Sequence, residues 1–308
     1  MRTSLAFLVF IGGCGSTSAT APGTDGGAGS GTDAGTQAND PTSVLSSPTF
    51  DRGGGIARIS YVTATNFSSG GGMGNASLLA QLYDVSNVSS AYFKTPERVG
   101  SCDVLIIPPQ TQIGGSLPTY VSAGALRLEG GVKELAIDLD PGKPYYASGS
   151  FDSALWSGGE TLKFTAAGAA IPAFSTTVAA PTTIRVTKPE SHFPAAVQVS
   201  RSKELVTEWT GTSAGSVLVS ISGPNQDANK PNSYITCAFS GADSHATIPA
   251  NVMQRIDRAG SGSIRVSTVS AADVSAGDWG TIRVRAESEA LEPGSSGRYA
   301  ANGATIAD

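Results

Sequence analysis

Leu205-Val206-Thr207-Glu208-Trp209 and, one turn later, Val217-Leu218-Val219-Ser220-Ile221 decide the fold of this chain. In the first run Leu205, Thr207 and Trp209 share one face, and in the second Val217, Val219 and Ile221 do, while Glu208 and Ser220 point the other way. A period of two is the strand signature, and one dry face opposite one wet face predicts antiparallel sheets packed as a sandwich. The pattern recurs at Val197 and Val199, at Ile264, Val266 and Thr268, and at Ile282, Val284 and Ala286, with Glu204, Arg265, Arg283 and Arg285 turned outward. Thr210-Gly211, Gly223-Pro224-Asn225, Gly241-Ala242-Asp243 and Gly260-Ser261-Gly262 supply the turns between runs. One helical turn is expected at Pro249 to Asp257.

Upstream, Leu126 and Leu128, then Leu135, Ile137 and Leu139, then Leu162 and Phe164, then Ile184 and Val186 alternate with Arg127, Glu129, Glu134, Asp138, Lys163 and Arg185. These runs predict a second sandwich, with a long Gly-rich loop at Ser68 to Asn75. The expectation is an all-β chain of two tandem antiparallel β-sandwiches, at residues 48–188 and 189–290, followed by a flexible C-terminal tail at 291–308. Thr187-Lys188-Pro189-Glu190 marks the expected boundary. About seven short strands in some 115 residues fit the immunoglobulin or fibronectin type III scale. Leu205 to Trp209 resembles the early strand of fibronectin type III domains, whose Trp sits in the core. Between the expected boundary at 189 and Trp209 no cysteine is present to pair with Cys237, and no Tyr-rich late strand follows, so the resemblance implies an Ig-like sandwich without fixing its subtype.

The N-terminus carries a different signal. One basic residue, Arg2, precedes a short apolar run, Leu5 to Ile11, that ends in Gly12-Gly13-Cys14. The run is far shorter than the ~20 residues of a membrane-spanning helix and is sized for a signal peptide. Ile11-Gly12-Gly13-Cys14 resembles the lipobox of bacterial lipoproteins, which implies cleavage before Cys14 and acylation of its thiol over a signal segment at 1–14. With Gly15 rather than Asp after the cysteine, the resemblance implies the outer membrane, with the leaflet open. Residues 15–47 contain no aromatic residue and no Lys or Arg, and almost no branched aliphatic before Val44 and Leu45, so a disordered tether is expected. Such a tether reaches roughly 30 Å on average and about 110 Å when stretched. The segment Gly168 to Pro189 and the Trp209 region resemble the tethered all-β lipoproteins of unknown function found in myxobacterial-type bacteria, a resemblance that implies no activity.

Composition narrows the partners. A net charge of −5 and no Lys/Arg cluster argue against nucleic acid and against anionic lipid head groups. Membrane attachment then rests on acyl chains at Cys14, and the partners expected are an envelope protein or a polysaccharide. No cofactor is expected. Gly70 to Gly74 lacks the helix and the Lys that a phosphate cradle requires, and Asp243-Ser244-His245 lacks a nucleophile elbow. Neither His192 nor His245 has a second His or Cys at zinc-ligand spacing. Asp138 and Asp140, about 6.6 Å apart on one strand face, are a weak calcium candidate. Tyr145, Tyr146 and Trp156 fall in a turn-rich stretch and are candidate ligand-binding aromatics, in competition with core packing. A non-enzymatic binding, adhesive or scaffold module is therefore expected first, a carbohydrate-binding lipoprotein second, and a secreted hydrolase last.

The cysteines Cys102 and Cys237 admit two states. Alternation places Cys237 beside Ile235 and Phe239 inside its own sandwich, which favours two buried thiols. A bridge is the alternative, and it would stabilise by roughly 5 kcal/mol on the chain-entropy model. For Cys14, the expectation is that Cys14→Ala abolishes globomycin-sensitive acyl labelling while the folded body persists. Labelling that survives the substitution would remove the anchor.

Overall fold

The computed structural model describes residues 40–45, 58–66, 76–84, 96–109, 119–138, 146–147, 154–190, 197–223, 230–257, 262–293 and 299–307. In the N-terminal half the strands are β1 (Arg58–Asn66), β2 (Ser77–Asp84), β3 (Glu97–Val99), β4 (Cys102–Ile107), β5 (Thr119–Tyr120), β6 (Leu126–Glu129), β7 (Leu135–Ile137) and β8 (Tyr146–Ala147). They continue with β9 (Thr161–Ala166), β10 (Phe174–Ala179), β11 (Arg185–Lys188), β12 (Gln198–Ser200), β13 (Leu205–Thr210) and β14 (Ser216–Gly223). The last are β15 (Asn232–Ser240), β16 (His245–Ile248), β17 (Gly262–Ser275), β18 (Thr281–Glu289) and β19 (Ala300–Ala307). The expected helical turn is present as α1 (Ala250–Met253), opened by Pro249 in extended conformation.

The strands form three sheets, and the chain is an all-β sandwich protein. A twelve-stranded sheet runs β3-β4-β15-β14-β17-β18-β1-β2-β5, with β8 beside β2 and β19 joining β17 to β12. Two smaller sheets, β10-β9-β6-β7 and β11-β13-β16, cover different parts of one face of it. In the first core Val186, Leu205, Trp209 and Ile248 of the three-stranded sheet meet Val104, Val219, Ile235, Ile264 and Val266. In the second, Leu128, Leu162, Phe164 and Val178 of the four-stranded sheet meet Leu78, Ala80, Ile282, Val284 and Ala286. Among the described residues the alternation read from the sequence thus names the correct inward side chains, while Leu139 lies outside them. β17 serves both cores: its Ile264 and Val266 enter the first, and its Ala272 and Val274 pack against the second. At about 3.3 Å per residue its fourteen residues span roughly 46 Å.

Where the sandwiches divide differs from the expectation. The boundary at 188/189 separates nothing, because β1 pairs with β18, Tyr61 opposite Arg283, and β4 pairs with β15, Asp103 opposite Thr236. Each core therefore draws strands from both sides of that point. β1–β18 and β12–β19 are also parallel, unlike the antiparallel rule followed by the other pairs. Alternation fixes which face a side chain takes, and it is silent about which strand lies alongside.

Both ends of the folded body extend past their expected limits. The presumed flexible tail holds β19, which pairs with β17 and β12, and it buries Tyr299, Ala304 and Ile306 in the first core. Burial pushes the Tyr299 phenol pKa up, and its hydroxyl donates to the Pro189 carbonyl at 2.9 Å. The presumed tether ends early. Pro41–Leu45 forms a 3₁₀ turn whose Val44 and Leu45 pack on Leu218, Ala238 and Val269, on the sheet face opposite the cores. Asp40 caps this turn by accepting from the Thr42 amide at 2.9 Å and from the Thr42 hydroxyl at 2.8 Å.

Cys102 and Cys237 are joined by a disulfide, which corrects the expectation of two free thiols. They lie directly opposite each other on β4 and β15 with their Cα atoms 3.9 Å apart. The flanking bond from the Ala238 amide to the Ser101 carbonyl, at 2.9 Å, marks a non-hydrogen-bonded pair, where facing side chains approach closest. Cys237 does point into its own core, but β4 belongs to that core as well. The bridge closes a loop spanning 135 residues, so Cys102→Ala with Cys237→Ala is expected to lower unfolding stability by roughly 5 kcal/mol. Urea denaturation of the two forms checks this, and coincident midpoints would contradict it.

Candidate functional site

The outward side chains of β15, β14 and β17 form two rows across three strands. Register sets Thr236, Ser220 and Arg265 side by side, and two residues further along Tyr234, Ser222 and Ser263. These six, with Ile221, line an open depression of about 220 Å³. The Ser222 and Ser263 hydroxyls lie 2.7 Å apart, and Ser220 donates to Thr236 at 3.4 Å. The 3₁₀ turn covering Leu218, Ala238 and Val269 walls off the next row. Tyr234 is partly buried, which pushes its phenol pKa up from its ordinary value.

Charge on this face is balanced. One Arg265 nitrogen lies 2.8 Å from a Glu287 oxygen and 2.9 Å from a Glu289 oxygen. Both carboxylates are buried, at 7% and 4% exposure, and Arg285 approaches Glu287 at 3.7 Å. Two guanidiniums thus face two carboxylates. Further along, Arg283 makes a two-pronged contact with Asp273 at 2.8 and 2.7 Å and donates to the Ser43 carbonyl at 2.8 Å, tying the 3₁₀ turn to the sheet. Arg98 pairs with buried Asp103 at the β3–β4 edge.

The structure places the sequence candidates elsewhere. Trp156 is 1% exposed, and its indole N–H donates to Ser288 Oγ at 2.9 Å and to the Pro181 carbonyl at 3.2 Å. It is a core residue rather than a ligand platform, because Asn66 clamps its loop from both sides: the Asn66 amide donates to the Trp156 carbonyl, and the Leu155 amide donates to Asn66 Oδ1. Tyr146 lies on β8 beside Ala80, while Tyr145 lies outside the described residues. Asp138 is exposed just after β7, and Asp140 and Cys14 also lie outside the described residues. Among the described residues no three His, Cys, Asp or Glu side chains cluster to hold a metal ion. No helix among them is long and apolar enough to cross a membrane. The depression itself escapes sequence reading: Ser220 and Ser222 flanking Ile221 are visible as outward positions, but their alignment with Tyr234 and Ser263 depends on register.

No protein-family model matches the chain, and no curated protein does. Among solved structures, it is similar to Dpr11 IG1 bound to DIP-gamma IG+IG2, at 10% identity and TM-score 0.16, over 77% of this chain and 99% of that one. It is also similar to DIP-gamma IG1+IG2, at 8% identity and TM-score 0.14, over 77% and 98%. Trypsin-activated alpha-2-macroglobulin from Escherichia coli aligns at 10% identity and TM-score 0.15, over 80% of this chain and 21% of that one. TM-scores in this range establish no shared topology, so the architecture rests on the strand pairings themselves.

Trp156→Phe removes the indole donor and some core volume, and it is expected to lower stability by roughly 1–3 kcal/mol without touching the outer face. Urea denaturation checks this. Loss of ligand binding at an unchanged midpoint would return Trp156 to a binding role.

Proposed function

We propose that this chain is an exported, non-enzymatic binding module, held at the envelope by acyl chains on Cys14, that engages its partner through the outer face of the large sheet. The observation that supports this reading best is the solvent-open depression over Ser220, Ser222, Tyr234, Thr236, Ser263 and Arg265. Side chains carried on paired strands are held in place before a ligand arrives, so little ordering is needed on binding. The sandwich around Trp209 is read as Ig-like. Because the first described segment, Asp40 to Leu45, lies on this same face, the leader joins the body beside the depression. The lipobox resemblance supports the anchor, and the low charge leaves acylation as the means of attachment.

A Cys14→Ala form of the full chain, probed against arrays of envelope glycans, peptidoglycan fragments and envelope proteins, tests the proposal. Saturable binding that weakens at least tenfold in Ser222→Arg is the expected result. Binding that is indifferent to that substitution, or no binding to any class, would overturn it.

A further inference from the structure

Resting on that reading, we propose that the depression takes a neutral glycan, with one sugar residue seated over the Ser222–Ser263 hydroxyl pair and against the Tyr234 ring. The grid sets the scale. Neighbouring strands lie about 4.8 Å apart and alternate residues about 6.6 Å apart, so the two rows of three cover roughly 10 by 7 Å, the footprint of a sugar ring with its hydroxyls. The volume of about 220 Å³ lies below that of pockets for drug-sized ligands, which fits a single sugar residue rather than an enclosed cofactor.

The chemistry of the lining points the same way. A hydroxyl both donates and accepts, so the Ser222–Ser263 bond at 2.7 Å and the Ser220–Thr236 contact at 3.4 Å can each be exchanged for bonds to sugar hydroxyls without stranding a polar atom. Tyr234 adds an aromatic ring and a phenol hydroxyl that can donate to a sugar oxygen. Electrostatics then select among glycans. Arg265, the cation in the depression, is shared between Glu287 and Glu289, and Arg285 also faces Glu287. Two positive charges against two negative leave no net field to attract a polyanion, so uncharged sugars are favoured over uronic or phosphate-bearing polymers. A shallow site of this kind holds a monosaccharide at about millimolar Kd and gains affinity only when further sugar residues run across the strands.

The test titrates the Cys14→Ala chain with maltohexaose, cellohexaose and chitohexaose as neutral probes and with polygalacturonate as the polyanion, at low and high salt. Expected is binding of at least one neutral oligosaccharide, insensitive to salt, and weakened at least tenfold in Ser222→Val with Ser263→Val. Valine keeps strand preference, and circular dichroism confirms folding; should that pair misfold, Tyr234→Leu provides the same loss from a single site. Salt-sensitive binding of polygalacturonate alone overturns the neutral class. Neutral-sugar binding untouched by either variant overturns the location. If no sugar binds while an array protein still engages the face in a Ser222-dependent way, this inference fails and the binding-module reading stands; if nothing binds, both fail.

Discussion

Because β17 hydrogen-bonds to β14 and β19 over its first half and to β18 over its second, neither core can move against the other without breaking a continuous backbone ladder. Ile264 and Val266 anchor that strand in one core, and Ala272 and Val274 set it against the other. A flexible linker between two sandwiches leaves their relative orientation free; a shared strand of roughly 46 Å does not. The outer face is consequently one rigid surface, in which the hydroxyl rows, the Arg265 cluster and the 3₁₀ turn keep fixed positions. Rigidity of this kind is what a shallow binding site needs, since it has little buried area with which to offset ordering.

A buried polar network reinforces the junction. Trp156 and Ser288 both bond to the Pro181 carbonyl, Ser288 donating at 2.9 Å, and Thr268 on β17 donates to the Thr182 carbonyl at 2.7 Å. The segment leading from β10 into β11 is thereby pinned to β17 and β18 where the cores meet. The Trp156, Ser288 and Thr268 side chains are buried and would be destabilising without a partner.

Much of this was legible in the chain, and the rest fails for identifiable reasons. The inward positions at Leu128, Phe164, Trp209, Val219, Ile264 and Val284 follow from alternation alone, and so does the sandwich class. Partner choice does not: nothing local to β1 says that it lies beside β18, and nothing local to β4 sets Cys102 opposite Cys237. β19 is read as a tail because Ala300, Ala301, Gly303 and Ala304 give almost no hydrophobic contrast, although Tyr299 and Ile306 bracket it with buried side chains. Trp156 misleads because a turn-rich neighbourhood looks exposed, whereas Asn66, some 90 positions away, holds that loop in the interior. The depression is a product of register across three strands, so composition and periodicity carry no trace of its shape.

The parallel pairing of β1 with β18 also fixes an order of events during folding. A chain that emerges from its N-terminus first presents β1 about 220 residues before β18 is available, as Tyr61 opposite Arg283 shows. Until then β1 has the β2 hairpin on one edge and an open edge on the other, and the second core lacks the Ile282, Val284 and Ala286 side chains. Closure over so long a separation is entropically slow, and an unpaired strand edge invites association with other chains. The body is thus complete only when nearly the whole chain has been delivered, and a chain cut short before β18 leaves the second core without Ile282, Val284 and Ala286 and the first without Tyr299, Ala304 and Ile306.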